Sequence, residues 1–257
     1  MTANPPINLW SSADHVRDYL ERADSISHRT EGEAAMLEFI PEDAHRILDL
    51  GTGDGRLLAL VKDHLVRKNL VKNDLVKNDL TRKDLIKRDL RRKSAKPDFM
   101  EHPRPETEAV AIDFSLSMLE AARQRFAADS SVTVISHNLD EPLTSLGPNS
   151  LGKFDAVVSC FAIHHLVHER KRALYAEVHD LLNPCGIFCN LEHVSSPTPR
   201  LHEEFLHHIG YTVETEDPSN KLLDVETQLH WLRELGFVDV DCHWKWRELA
   251  LLAGRKP

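Results

Sequence analysis

The sequence has few cysteines, few glycines and no long hydrophobic run. Only four of its 257 residues are cysteine and ten are glycine. The cysteines, at positions 160, 185, 189 and 242, are too few and too scattered for a disulfide scaffold, so we expect buried thiols in a reducing cytoplasm. No stretch of about 18 uncharged apolar residues occurs, which argues against a membrane-spanning helix. The first residues show no basic start followed by an apolar stretch, so no secretory signal is visible and a cytoplasmic location is expected.

Basic residues are scarce outside one segment. The chain carries 32 Lys and Arg residues against 41 Asp and Glu residues, a net charge of −9. Residues 62–96 hold 13 basic and 5 acidic side chains, so this segment has a net charge of +8 and the rest of the chain −17. A body of that charge repels a phosphate backbone. Nucleic acid is therefore disfavoured as a partner unless the basic segment supplies the contact.

The basic segment contains a five-residue repeat, with leucine at every fifth position from Leu65 to Leu90. On an α-helix a step of five residues turns by about 500°, so successive leucines differ by about 140° and form no apolar stripe. The repeat therefore predicts a solvated insertion at about 66–106, with little burial and weak order. The predicted organisation is a single domain, 1–257, interrupted by this insertion.

Apolar periodicity predicts alternating helices and strands over the rest of the chain. Residues 11–23 are predicted to form a helix with one apolar face, capped by Ser11. The other predicted helices are 30–40, 115–128, 169–182 and 224–235, and the predicted strands are 46–50, 109–113, 132–136, 154–159 and 186–191. Alternation of this kind is typical of a mainly parallel sheet covered on both faces. Two last strands, 237–242 and 248–253, have no helix between them and predict an antiparallel hairpin at one edge.

One motif carries glycine at alternate positions. Asp49-Leu-Gly51-Thr-Gly53-Asp-Gly55 follows the first predicted strand and precedes a helix. Glycines permit a tight turn there and let backbone N–H groups approach a ligand closely. A dinucleotide-binding loop would need glycine where the sequence has Arg56, which argues against NAD. The spacing, with an acid two residues before the first glycine, resembles motif I of the class I S-adenosylmethionine (SAM)-dependent methyltransferases.

Later segments resemble further motifs of the same family. Asp113 ends the next predicted strand, and residues 154–166 are similar to the fourth-strand motif of the small-molecule methyltransferases. Residues 181–186 resemble the turn before strand five, except that Cys185 stands where the family usually has glycine. The resemblance implies SAM as the cofactor. It also implies an α/β, Rossmann-like methyltransferase fold, in which a mainly parallel seven-stranded sheet ends in an antiparallel hairpin and has helices on both faces.

The resemblance further implies where SAM binds. The cofactor-binding residues that it implies are Arg29, Asp49, Gly51, Thr52, Gly53, Asp113, Phe114, Met118, Asn138, Leu139 and Ser159. Asp113 would accept hydrogen bonds from the ribose hydroxyls, and Met118 would lie near the adenine. Asn138, or Asp140 in its place, would accept a hydrogen bond from the adenine amino group. Arg29, ahead of the first strand, is placed to pair with the methionine carboxylate.

The expected reaction is the in-line transfer of a methyl group to an oxygen or nitrogen atom of a small-molecule acceptor. Alignment supplies most of the rate in such a step, and a base need only remove a proton from the acceptor. His165, after the fourth strand, is the first candidate base because histidine titrates near neutral pH. His193, after the fifth strand, is the second. Residues 200–210 and 211–220 are expected to cover the acceptor, and no histidine cluster has the spacing of metal ligands.

Three other functions remain open from the sequence alone. A methyltransferase acting on RNA or protein could use the basic insertion for docking. A carboxy-S-adenosylmethionine synthase would use the same cofactor without methyl transfer. A regulatory protein would bind SAM without turnover.

Overall fold

The secondary structure alternates between helices and strands, as the apolar pattern predicts. A computed structural model describes residues 9–23, 26–70, 107–147 and 151–257. The strands are β1 Arg46–Leu50, β2 Glu108–Asp113, β3 Val132–Ser136, β4 Phe154–Cys160, β5 Leu182–His193, β6 Val238–Trp246 and β7 Leu249–Arg255. The helices are α1 Ala13–Ala23, α2 Arg29–Leu37, α3 56–70, α4 Leu116–Arg125, α5 His168–Leu181, α6 Pro199–His208 and α7 Val225–Glu234.

These strands form one seven-stranded sheet in the order β3-β2-β1-β4-β5-β7-β6. Strands β1 to β5 pair in parallel, whereas β7 is antiparallel to both β5 and β6. The Rossmann-like fold predicted from the sequence is therefore confirmed, including the antiparallel hairpin. The strand order reverses between β1 and β4, and ligands of open α/β sheets bind at the carboxyl ends of the strands beside such a reversal.

The core lies in two layers, one on each face of the sheet. Along β1, Leu48 and Leu50 pack in one layer while Ile47 packs in the other. This division follows from the alternation of side chains along a strand. Because both faces of the parallel strands are covered, β1 is buried from Ile47 to its end. Packing on both faces therefore holds the strands, and with them the loops at their carboxyl ends, in place.

Two local expectations need correction. The first helix begins at Ala13, two residues after the predicted start, following a turn of 3-10 helix over Leu9–Ser11, and the Ser12 hydroxyl accepts a bond from the His15 N–H at 3.4 Å. The cysteines were expected to be buried, but Cys185 is exposed. It lies in the left-handed region at φ 65, which explains why a glycine suits this turn.

Helix α3 extends into the segment that the leucine repeat assigned to an insertion. Its Leu65 side chain is buried, whereas Val66 and Leu70 are more than half exposed. Helix residues 66–70 are thus continuous with the domain, and the remainder of the predicted insertion, 71–106, lies outside the described residues. In the part of the chain that is described, no helix is long and apolar enough to cross a membrane.

Replacing residues 71–103 with a short Gly/Ser linker is expected to leave the melting temperature and the cofactor affinity nearly unchanged. The physical reason is that β1 and β2 pair along their full length, and that the buried core side chains of α3, Leu57, Leu58, Val61 and Leu65, all precede this segment. Thermal melts and cofactor titrations of the parent and the shortened chain provide the measurement. A chain that no longer folds, or that loses the cofactor by tenfold or more, would show that the segment is packed structure.

Candidate active site

The glycine loop after β1 turns sharply at the carboxyl edge of the sheet. Gly51, Gly53 and Gly55 all have positive φ, at 69°, 56° and 81°. A Cβ added to Gly51 would lie 2.2 Å from the Cβ of Ala162, which follows β4. Glycine is therefore required at position 51 both by its backbone conformation and by the close approach of the neighbouring segment.

Substituting Gly51→Ala is expected to lower the free energy of unfolding by about 2 kcal/mol or more, since the positive φ costs about 1–2 kcal/mol and Ala162 must also move. The matched control is Gly210→Ala, because Gly210 has φ 82 but no atom within 4 Å of the added Cβ. Chemical denaturation of both variants separates the steric cost from the conformational cost. Adding Ala162→Gly to Gly51→Ala should recover part of the loss, and equal losses in the two single variants would contradict the steric argument.

Asp113, at the end of β2, holds the glycine loop and the start of α4. Its carboxylate accepts a bond from the Gly53 N–H at 2.9 Å and from the Ser115 N–H at 2.9 Å. Burial raises the pKa of Asp113, although these backbone bonds oppose the rise. A carboxylate can accept about four hydrogen bonds, so Asp113 keeps acceptor capacity for a ligand beside its backbone bonds.

Asp49 lies at the end of β1, beneath the glycine loop. It is 1% exposed, and its Oδ2 accepts a bond from the Thr52 hydroxyl at 2.7 Å. Its Oδ1 is buried and has no hydrogen-bond partner among the described residues. Burial raises the pKa of Asp49 to about 7, although the bond from Thr52 opposes the rise. This carboxyl group therefore lacks one partner and titrates near neutral pH.

A cavity of about 590 Å³ opens above the glycine loop, and we call it the first cavity. Most of the residues assigned to the cofactor from the sequence line it: Arg29, Gly51, Thr52, Gly53, Asp113, Phe114, Met118, Asn138 and Leu139. Asp49 lies behind Thr52 and does not line the wall. Ser159 does not line it either, because its fully buried hydroxyl donates to the Leu50 carbonyl at 2.8 Å and ties β4 to β1.

Arg29 reaches the wall of the first cavity from the start of α2. Its Nε donates to Glu33 at 2.8 Å, and the same carboxylate accepts two bonds from Arg56 at 3.1 Å. A second nitrogen of Arg29 contacts the Tyr19 hydroxyl at 3.2 Å. Two guanidinium groups therefore share one buried carboxylate at this end of the cavity.

A second cavity, of about 650 Å³, adjoins the first. Six residues line both cavities: Leu9, Trp10, Tyr19, Phe161, His165 and Pro218. The second cavity is otherwise bounded by α6 and by the loop that follows it, including Phe205, Leu206 and residues 209–211. The segments 200–210 and 211–220, expected to cover an acceptor, thus both contribute to its wall.

Besides His15 on α1, three histidines reach the second cavity, and each of these three is held through one ring nitrogen. His165 Nδ1 lies 2.8 Å from the Ser219 hydroxyl, and His164 Nδ1 lies 2.7 Å from Glu192. His193 Nε2 lies 2.9 Å from Glu248. Burial, together with the neighbouring His164, places the pKa of His165 well below its usual range. His165 differs from the other two because it also lines the first cavity.

Some residues of these walls escaped the sequence analysis. Trp10 carries no motif, and Pro218 and Ser219, which lie in the segment 211–220 expected over the acceptor, also line the first cavity. Tyr19 and Leu20 belong to the predicted apolar face of the first helix, and that face covers the first cavity as well as the core. The apolar face of α1 was thus the sequence signal from which its position over the first cavity could have been predicted. Among the described residues, no group of three or more His, Cys, Asp or Glu side chains is placed to hold a metal ion.

Comparisons with known proteins agree with this geometry. Residues 97–188 match the family model described as a methyltransferase domain. No curated protein sequence matches the chain. The recognition of a methyltransferase domain in the sequence is confirmed by the family match together with the fold.

Solved methyltransferases share the fold at low sequence identity. An O-methyltransferase family protein from Burkholderia thailandensis is similar with a TM-score of 0.63 and 17% identity, over 96% of this chain and 61% of that one. The N-methyltransferase NodS from Bradyrhizobium japonicum WM9, in complex with S-adenosyl-L-homocysteine, has a TM-score of 0.60 and 13% identity, over 97% and 99% of the two chains. A structure described as a complex of the Haloferax volcanii Trm112 methyltransferase activator with a methyltransferase has a TM-score of 0.60 and 14% sequence identity, over 99% of this chain and 100% of that one. The chain spans about 60% of the length of the first of these structures.

Proposed function

We propose that this chain, which carries a methyltransferase domain in the Rossmann-like fold of SAM-dependent enzymes, transfers a methyl group from SAM to a small organic acceptor. The observation that supports the proposal is the pair of adjoining cavities whose common wall includes His165. Both volumes fall in the range of about 300–1,000 Å³ that small ligands occupy. The first cavity would hold SAM, and the second would hold the acceptor.

The residues at the first cavity fit SAM in four respects. Asp113 keeps acceptor capacity for the ribose hydroxyls, while its backbone bonds hold the carboxylate still. The glycine loop lines the cavity with Gly51 and Gly53, which have no side chain to keep their backbone away from a ligand. Arg29 supplies positive charge for the methionine carboxylate, and Asp49, behind the cavity wall at Thr52, has a buried oxygen without a hydrogen-bond partner and would attract the methionine ammonium. Asn138 and Met118 line the cavity where the adenine would lie.

The side chains of the junction would align the acceptor and accept its proton. SAM supplies a methyl group on a sulfonium sulfur, which keeps the bonding electron pair as the new bond to the acceptor forms. The proton released from the acceptor oxygen or nitrogen passes to His165, whose lowered pKa keeps the ring neutral at pH 7. His193, held by Glu248, faces only the second cavity and would bind a more distant part of the acceptor.

The affinity for S-adenosylhomocysteine is expected to rise with pH between 6 and 8, by up to about tenfold. The pKa of Asp49 is about 7, so the carboxyl is neutral below this pH and charged above it. Only the charged form attracts the ammonium group of the ligand. Calorimetry at several pH values measures the change, and Asp49→Asn should bind with an affinity that depends less on pH. An equally flat profile for the parent chain would contradict the role of Asp49.

Two measurements test the proposed function. Calorimetry with S-adenosylhomocysteine should show binding at a single site, because one first cavity is formed per chain. Incubation with SAM carrying a labelled methyl group and a panel of phenols, polyols, amines and carboxylic acids should transfer the label to a small molecule. Transfer only to RNA or to protein would contradict the acceptor class. Binding without any transfer would favour a regulatory protein.

A further inference from the structure

One histidine of α6 lies between two carboxylates that belong to different parts of the fold. His202 Nδ1 lies 3.1 Å from each oxygen of Glu248, and His202 Nε2 lies 3.0 Å from Glu216 Oε2. Glu248 is fully buried and immediately precedes β7, whereas Glu216 lies in the loop that follows α6. The ring of His202 therefore connects α6, this loop and the start of β7, and we call the three residues the His202 bridge.

The elements joined by the His202 bridge form part of the wall of the second cavity. Phe205 on α6 lines this cavity, and so does Glu216 itself. Glu248 also lies 2.9 Å from the Nε2 atom of His193, which lines the same cavity. The His202 bridge therefore sets how the loop after α6 lies over the second cavity.

The geometry also determines how many protons the His202 bridge holds. A short contact between a ring nitrogen and a carboxylate oxygen needs a proton between them, because two lone pairs repel each other. His202 makes such a contact through each nitrogen, whereas a neutral imidazole carries one N–H and an ionised carboxylate carries none. Carboxyl groups ordinarily ionise well below pH 7, so the second proton belongs on the ring, which is then an imidazolium.

The charges that face the ring agree with this count. Although burial opposes it, the carboxylates of Glu248 and Glu216 raise the pKa of His202. Burial also opposes the ionisation of Glu248, but bonds from His193 and His202 hold its pKa below the usual value. The other oxygen of Glu216 accepts a bond from the uncharged Asn220 amide at 2.9 Å.

The nearby arginines are engaged elsewhere. On α6, Arg200 pairs with Glu204, and Arg247, in the turn before β7, lies 3.8 Å from the same carboxylate. Arg247 also lies 3.2 Å from the Nε2 atom of His208. Among the described residues, these two cations thus pair with Glu204 rather than with a carboxylate of the His202 bridge.

Loss of one proton from the ring would break the contact with Glu216 rather than the contact with Glu248. A neutral His202 keeps one N–H, so one of the two carboxylates then faces a lone pair. The Glu248 side chain is 0% exposed and would be left without water, whereas Glu216 is 18% exposed and can be solvated. The remaining N–H is therefore expected to stay with Glu248, and the loop after α6 loses its contact with the helix.

We propose that the His202 bridge is a pH-sensitive latch, which holds the loop after α6 over the second cavity while both ring nitrogens are protonated and releases it when one proton is lost. The consequence for catalysis rests on the proposed function, in which the second cavity holds the acceptor. A histidine whose pKa is raised in the folded state stabilises that state at low pH, and the contribution is lost as the pH rises through the raised value. The loop is therefore held at acidic to neutral pH and loosened at alkaline pH.

Nitrogen-15 NMR of the imidazole rings in the full chain, without SAM or acceptor, measures the protons directly. The His202 signals are assigned by their loss in His202→Gln. In the parent chain the doubly protonated ring should predominate at pH 7, and it should titrate at a higher pH than the histidines of the urea-unfolded chain. In Glu216→Gln the amide can donate to Nε2, so a neutral ring can keep both contacts and the titration should move to lower pH. His207→Gln, an exposed position of the same helix, should leave the His202 titration unchanged.

Hydrogen exchange of the backbone N–H groups, followed by mass spectrometry, measures the release of the loop. Protection of residues 211–221 relative to α5 should fall by about fivefold between pH 6 and pH 8.5 in the parent chain, the size expected for a partly exposed ion pair. In Glu216→Gln the fall should be absent, and in His202→Gln protection should already be low at pH 6. With an acceptor from the panel, the KM for the acceptor should rise over the same pH range by about fivefold more in the parent chain than in Glu216→Gln.

The possible failures are distinguishable. A His202 ring that carries one proton at pH 7 in the parent chain, or an unchanged titration in Glu216→Gln, overturns the latch. The same loss of protection with pH in His202→Gln as in the parent chain overturns it as well, because His202 would then not be the group that titrates. Failure to bind S-adenosylhomocysteine, with the titration and the release of the loop as expected, overturns the proposed function and leaves the latch in place.

Discussion

Asp113→Ala is expected to weaken the binding of S-adenosylhomocysteine by about 100-fold or more. The carboxylate would accept two ribose hydroxyls, and a hydrogen bond to a charged group contributes about 1.5–3 kcal/mol. Two such bonds amount to about 3 kcal/mol or more, and about 1.4 kcal/mol corresponds to a tenfold change in affinity. The same substitution leaves the N–H groups of Gly53 and Ser115 without their acceptor, which loosens the loop as well. Calorimetry of the folded variant provides the measurement.

Two further variants make the result specific. Asp113→Asn keeps one oxygen acceptor and should fall between the parent chain and Asp113→Ala. Asp140 also lines the first cavity but is exposed, and Asp140→Ala should have a much smaller effect. A loss in Asp140→Ala as large as that in Asp113→Ala would contradict the assignment of the ribose to Asp113.

His165→Gln is expected to lower kcat by about 10²–10⁴-fold, the range found for general bases, while the affinity for S-adenosylhomocysteine stays nearly unchanged. The reason is that His165 lies at the junction of the two cavities, where the acceptor atom must meet the methyl group. Glutamine keeps a polar group near Ser219 but cannot take up the proton. Single-turnover rates with an identified acceptor measure the chemical step apart from binding.

His193→Gln is the matched comparison for this experiment. His193 is held by a carboxylate and faces the second cavity, but it does not line the first. Its substitution should therefore raise the KM for the acceptor more than it lowers kcat. If His193→Gln abolished turnover while His165→Gln retained it, the base would be His193, and the acceptor would have to extend from the second cavity.

Several features follow from local sequence signals. Strands β1 and β3 occupy the predicted residues 46–50 and 132–136, because short apolar runs ended by turn residues identify buried strands without reference to the rest of the chain. Strand β5 instead begins at Leu182, four residues before the prediction. Its first residues include the left-handed Cys185, whose N–H is bonded to Lys256 near the end of the chain. The residues around Cys185 do not indicate that Lys256 is its hydrogen-bond partner, so the early start of β5 could not be predicted from them.

The glycine loop, the acid at Asp113 and the alternation of strands and helices are readable from the amino-acid sequence, because each is carried by a few consecutive residues. Which histidine lies between the two cavities, and which groups hold it, depends on the folded arrangement of distant segments. Trp10 and Asp217 are 207 positions apart and meet because the fold places the 3-10 turn before α1 and the loop after α6 beside the same pair of cavities. Contacts of that separation leave no local pattern, since each partner is an ordinary polar or aromatic residue until the fold brings it to the other.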